Sequence, residues 1–137
     1  MVPFTLKHID HVVLRVADME RSLNFYTRAL GCSIDRRRDD LGMVHLRVGS
    51  AMLDLVDIHG RIGREGGAAP GADAHNMDHV CLRVEPFDAD AIRTHLQALG
   101  ITTEAAVMRY GAQGSGLSLY CHDPDGNRIE LKGPALE

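Results

Sequence analysis

Two histidines set the chemistry to look for. Residues 10–16 read Asp-His-Val-Val-Leu-Arg-Val and residues 78–84 read Asp-His-Val-Cys-Leu-Arg-Val, identical at six of seven positions. Strand propensity alone would repeat Val and Leu, but not Asp, His and Arg in register with them, so the chain carries an internal duplication. Side chains alternate along a strand. Val12, Leu14 and Val16 therefore form one face of the first copy, and His11, Val13 and Arg15 the other. In the second copy Val80, Leu82 and Val84 oppose His79, Cys81 and Arg83. The aliphatic face must cover a helix, and the His/Arg face must point into whatever concavity the sheets enclose.

Two carboxylates fall on that same side. Asp54 lies between Leu53 and Leu55, and Glu130 between Ile129 and Leu131, each opposed to its aliphatic neighbours. Ser118, Tyr120 and His122 likewise oppose Leu117, Leu119 and Cys121, and His45 and Arg47 oppose Val44, Leu46 and Val48. A carboxylate flanked by aliphatics is costly to bury unless it is paired or metal-bound. Two imidazoles with one or two carboxylates suit a divalent transition metal and leave positions open for water and substrate. The competing reading pairs Glu130 with Arg15 or Arg83 and leaves the histidines as satisfied core residues.

The elements that must position these groups repeat as well. After the first strand, Asp18 is suited to cap a helix with Met19, Leu23, Tyr26 and Leu30 at helical spacing and Gly31 at its end. After the second, Asp88 can cap a helix with Ile92, Leu96 and Leu99 on one face, closed by Gly100. Ala-Leu-Gly recurs at residues 29–31 and 98–100. Hairpins are expected at 42–48 with 51–57, and at 116–122 with 127–132 around the turn Asp123-Pro124-Asp125-Gly126. Each half thus reads β-α-β-β-β. The expected organisation is one α+β domain over 1–137, with module one at 6–57, a glycine-rich linker at 58–76 and module two at 77–133.

Composition narrows the partners. A net charge of −4 argues against nucleic acid and anionic membrane surfaces. Arg36-Arg37-Arg38 is answered at once by Asp39-Asp40 and reads as a solvated strand end. No stretch approaches a membrane span, and the N-terminus shows no apolar signal segment. Cys32, Cys81 and Cys121 are odd in number and far apart, which argues for a reduced compartment and a cytoplasmic protein.

These motifs together resemble the vicinal oxygen chelate superfamily, which includes glyoxalase I, extradiol dioxygenases, fosfomycin-resistance enzymes and bleomycin-binding proteins. The resemblance runs from Ile9 to Lys132. It is most specific at His11, the helix Arg-Ser-Leu-Asn-Phe-Tyr-Thr-Arg-Ala-Leu-Gly, His79, and Asp-Pro-Asp-Gly-Asn-Arg-Ile-Glu at 123–130. The run from Gly111 to Asp125 is similar in pattern to small glyoxalase-domain proteins of the glyoxalase domain-containing protein 5 and bacterial virulence-associated type. The fold implied is two pseudo-symmetric βαβββ modules curling into a cup. The metal ligands implied are His11, His79 and Glu130. Glyoxalase I adds a fourth ligand, usually Glu, where this chain has Asp54, one methylene shorter. Since that counterpart also serves in proton transfer, Asp54 and Glu130 are the expected catalytic carboxylates, and the departure weakens the case for strict glyoxalase activity.

The resemblance implies one divalent metal ion (Ni, Zn, Mn, Co or Fe), a small-molecule substrate and a homodimer. The leading function is a metal-dependent lyase or isomerase of glyoxalase type, in which the cation chelates two vicinal oxygens and stabilises an enediolate. The alternatives are an Fe(II) ring-cleaving dioxygenase, disfavoured because those usually carry four modules, and a metal-free antibiotic-binding resistance protein. Arg15, Arg83, Tyr120 and His122 are the expected substrate contacts, and Arg109 and Tyr110 lie in a glycine-flanked segment suited to a lid.

Overall fold

The computed structural model describes residues 2–137. Two four-stranded sheets form, each with a helix between its first and second strands. In the first, β1 (His11–Val16), β2 (Ser33–Arg38), β3 (Met43–Val48) and β4 (Ala51–Asp57) lie in the order β1-β4-β3-β2. In the second, β5 (His79–Arg83), β6 (Val107–Gly111), β7 (Gly114–His122) and β8 (Arg128–Lys132) lie in the order β5-β8-β7-β6. The first strand of each sheet runs parallel to its last, and the other pairs are antiparallel. This is the α+β fold of paired βαβββ units that the duplication predicts.

The duplication extends to register. Val13 lies opposite Asp54 and Cys81 opposite Glu130, each two residues beyond the strand's histidine. Asp54 and Glu130 are therefore equivalent positions of the two halves.

Capping fixes where the helices start. In α1 (Met19–Asn24) the Asp18 carboxylate accepts from the Arg21 amide, and in α2 (Ala89–Ala98) Asp88 accepts from the Ala91 amide. The first helix does not stay α-helical to its end: Phe25–Ala29 widens into a π-turn before Gly31, which takes φ 77°. Thr27 Oγ1 donates back to the Leu23 carbonyl at 2.7 Å, a side-chain bond that competes with the regular ladder.

Both helices and the aliphatic faces of both sheets feed one core, with Leu14, Val16, Leu23, Tyr26, Leu96, Ile129 and Leu131 in a single cluster. Polar ties cross between the halves. The Tyr26 hydroxyl donates to Asp123, the Ala17 amide and Ser22 hydroxyl donate to Asp125, and the Asn76 amide reaches both the Arg15 carbonyl and Asn127. The arginine run behaves as its sequence implies: Arg37 pairs with Asp39 and Glu20, and Arg38 with Asp40, all at the surface. Among the described residues no helix is long and apolar enough to cross a membrane.

Candidate functional site

The aspartate before each histidine has a job. Asp10 Oδ1 lies 2.8 Å from His11 Nδ1, and Asp78 Oδ2 lies 2.6 Å from His79 Nδ1. A carboxylate on Nδ1 fixes the ring's orientation and tautomer and turns Nε2 outward, as metal-binding histidines require. The His11–Asp10 hydrogen bond, working against burial, also holds the His11 imidazole above its ordinary pKa.

On the second sheet His79 Nε2 lies 3.3 Å from Glu130 Oε1. That is about the separation of two ligands bonded to one tetrahedral cation at roughly 2.0–2.1 Å. Glu130 is 5% exposed. It accepts from the Ser118 hydroxyl at 2.7 Å and the Tyr120 hydroxyl at 3.1 Å. Burial pushes its pKa up, but the hydrogen bonds from Ser118, Tyr120 and Cys81 outweigh it, so the carboxyl stays below its ordinary value and ionised. Arg109 Nε donates to the Tyr120 hydroxyl at 3.1 Å, and the Arg128 guanidinium sits 3.9 Å above the Tyr120 ring. Tyr120 thus gathers the second half of the site around Glu130.

On the first sheet Asp54, 3% exposed, lies 2.9 Å from His45 Nδ1. The contact is off the ring's N–H direction, so Asp54 Oδ1 is buried without a hydrogen bond. A buried carboxylate oxygen left so is suited to a cation or a shared proton. In ligand type the two halves fit a divalent metal. Within one chain they stay two partial sets, because among the described residues no group of three His, Cys, Asp or Glu side chains is placed to hold a metal ion. A cavity of about 420 Å³ against the His79–Glu130 pair is lined by the second half alone, including Cys81, Arg83, Tyr110 and Lys132.

The expected substrate contacts separate. Tyr120 joins the site, Arg83 lines the cavity and is paired with Glu85 at 2.9 Å, and His122 stands exposed at the end of β7, outside the cavity. Arg15 turns away to the glycine-rich segment, where its guanidinium donates to the carbonyls of Gly63, Gly66, Gly67 and Ala68. The linker is therefore clasped to the first sheet. A Cβ at Gly66 would meet Arg15 Nε at 2.5 Å, so any other residue there would push the guanidinium from its present position. Arg15→Ala is expected to release this clasp, and limited trypsin digestion should then cut at Arg61 and Arg64 first and many times faster than in the unsubstituted protein. An unchanged cleavage rate would show that the clasp is not what orders the segment.

Sequence reasoning misses Lys132, places Ser118 and His45 on the inward face, and does not single them out as partners of Glu130 and Asp54. It also misses the orienting role of Asp10 and Asp78, although the signal is there, since the aspartate repeats with each histidine. Cys81 donates its thiol to Glu130, and burial followed by the Glu130 charge pushes its pKa up to about 11. In metal-free protein at pH 8, iodoacetamide should alkylate Cys81 roughly two orders of magnitude more slowly than a free thiol. Peptide mass spectrometry reads the rate, and labelling at the free-thiol rate would place Cys81 away from Glu130.

Residues 8–131 match the family model described as Glyoxalase/Bleomycin resistance protein/Dioxygenase superfamily. The chain is 35% identical over 128 residues to the glyoxalase domain-containing protein RDO1 of Mycosarcoma maydis, covering 93% of this chain and 68% of that protein. It is 28% identical over 129 residues to lactoylglutathione lyase of Salmonella typhimurium, covering 88% of each. The crystal structure of virulence protein STM3117 from Salmonella typhimurium superposes with a TM-score of 0.79 at 26% identity, covering 96% of this chain and 100% of that one.

Proposed function

Because the chain belongs to the Glyoxalase/Bleomycin resistance protein/Dioxygenase superfamily, we propose that it is a divalent-metal-dependent lyase or isomerase of glyoxalase type, acting on a small vicinally oxygenated substrate. One observation carries the reading: each duplicated histidine is oriented through Nδ1 by its own aspartate, and Glu130 lies ionised and buried beside His79. His11, His79 and Glu130 would hold the cation, with Asp54 as fourth ligand or base. A bound divalent cation would supply Lewis-acid polarisation of two vicinal oxygens.

The chain's own groups do the rest. Asp10 and Asp78 hold the two imidazoles in the required tautomer. Ser118 and Tyr120 keep Glu130 ionised and fixed, which spares reorganisation when charge develops on the substrate. Asp54, with one buried oxygen free of hydrogen bonds, takes the proton from the carbon beside the oxygenated centre and returns it to the adjacent carbon. An inward carboxylate beyond the His-His-Glu set favours proton transfer over oxygen insertion. The ligands of one chain form two partial sets, so this reading calls for a homodimer that would set His11 and Asp54 of one copy against His79 and Glu130 of another. Sedimentation should give twice the chain mass.

The test is to load the protein separately with Ni, Zn, Mn and Fe(II), and to assay turnover of the methylglyoxal–glutathione adduct and cleavage of a catechol. Adduct turnover with any of these metals would support the lyase reading. Oxygen consumption with the catechol in the Fe(II) form alone would make it a dioxygenase. No turnover with any metal, together with tight binding of a drug-like ligand, would make it a sequestering protein.

A further inference from the structure

The polar face of the second sheet carries more positive charge than its ligand set explains. Arg83, Arg109, Arg128 and Lys132 all lie on or around it, in a chain whose net charge is −4. Only Arg83 has a carboxylate partner. Among the described residues no carboxylate oxygen lies within 4.0 Å of a side-chain nitrogen of Arg109, Arg128 or Lys132.

Lys132 is the most constrained of these. It is 7% exposed, and its ammonium is held by two backbone carbonyls, those of Arg109 and Gly116. Its stem lies against Gly111, where a Cβ would come within 2.7 Å of Lys132 Cε, so the backbone is shaped to let the lysine through. Burying an ammonium without a counter-ion is unfavourable, and buried charges are as a rule paired, so an anion seated beside Lys132 would relieve that cost. Two carbonyls use two of its three donors. The 420 Å³ cavity that Lys132 lines with Arg83 is also lined by His79, Glu130 and the Ala112–Gln113 turn.

We propose that this cavity binds an oxyanion of carboxylate or phosphate type, with Lys132 as the charge that holds it and Arg83 at its rim. The anion would be a substituent of the substrate, and that assignment alone rests on reading His79 and Glu130 as the reaction site. The substrate is then a small oxygenated acid rather than a neutral carbonyl compound, drawn to a positive concavity on an otherwise acidic protein. Lys132 becomes a specificity-determining residue.

The test needs no metal. Metal-free protein labelled with ¹⁵N is titrated with inorganic phosphate, and separately with acetate, at constant ionic strength set by chloride. Saturable amide shifts are expected at residues 111–114 and 132–133. Lys132→Gln should weaken binding roughly tenfold or more, the loss of one charge-assisted contact. Glu130→Gln, which disables the proposed metal set, should retain anion binding or tighten it by removing a like charge. Failure of the metal reading would therefore leave this result standing, and the reverse holds too. Either anion meets the proposal, and the tighter one assigns the oxyanion. Shifts that spread over Arg36–Arg38 and other surface cations, that never saturate, or that persist unchanged in Lys132→Gln would overturn it. Should Lys132→Gln lose spectral dispersion, the location of the shifts in the unsubstituted protein decides alone.

Discussion

Glu130→Ala is expected to abolish stoichiometric metal uptake, and Glu130→Gln to lower the affinity by at least about a hundredfold while the fold survives. Glu130 is the buried anion of the proposed set and sits 3.3 Å from the second histidine. Alanine removes a ligand and also leaves the buried Ser118 and Tyr120 hydroxyls without their acceptor, at about 1–3 kcal/mol each. Glutamine keeps an acceptor oxygen for one of those hydroxyls, offers its NH2 to the oxygen of the other, and removes the charge. The two variants thus separate loss of the site from loss of stability. Elemental analysis of protein purified without chelators reads the first, and thermal unfolding reads the second. Full metal content in both variants would rule Glu130 out as a ligand. The sign of the pH effect follows from the same contacts. The folded-state pKa of Glu130 is depressed, so its contribution to stability is present above the unfolded value and lost as pH falls through the folded one. Glu130→Gln should remove that acid-side loss.

Asp123→Ala should lower the melting temperature by roughly 10 °C or more, the largest stability effect expected of a single polar substitution here. The side chain is almost wholly buried and ties three elements together. Its Oδ2 accepts from the Tyr26 hydroxyl at 2.6 Å and from Asn127 Nδ2 at 2.8 Å, and its Oδ1 accepts the amides of Asp125 and Asn127 at 2.9 Å. It therefore shapes the turn that delivers β8, and with it Glu130, while anchoring that turn to the first helix. Truncation strands three buried donors, the Tyr26 hydroxyl and the backbone and side-chain N–H groups of Asn127, at about 3 kcal/mol or more in total. Tyr26→Phe removes one of the four bonds and should cost less. Burial, then the Asp123 charge, raises the Tyr26 phenol far above its ordinary range. Its stabilisation is full below the unfolded-state pKa of about 10 and is lost as pH rises beyond it. Tyr26→Phe should flatten that alkaline decline. A melting temperature for Asp123→Ala within about 2 °C of the unsubstituted protein would show that the network contributes little.

How much of this was legible differs from residue to residue. The duplicated heptapeptide, the helix caps at Asp18 and Asp88 and the Asp-Pro-Asp-Gly turn all appear where local pattern puts them, and Asp54 and Glu130 fall on the histidine-bearing faces. Each is decided by backbone geometry within a few residues: period-two alternation along a strand, one carboxylate reaching one amide three residues on, a glycine at positive φ. Other features are not local. Arg15 alternates onto the polar face as expected, yet its guanidinium is spent on carbonyls 48 to 53 residues further along. Lys132 sits at a strand end to which the local pattern assigns no role, and becomes buried because the β6–β7 hairpin closes over it through Gly111 and Gly116. Asp123 reads as a turn former and proves to be the link to Tyr26. The amino-acid sequence determined by itself the elements, their polar and aliphatic faces, and the chemical kinds of ligand. The tertiary structure alone decided which cations stay free beside Glu130, and that His11 and His79 belong to separate partial sets within one chain. Faces are a property of a strand's own covalent geometry, whereas partners across a sheet or a loop are chosen by the packing of the whole chain.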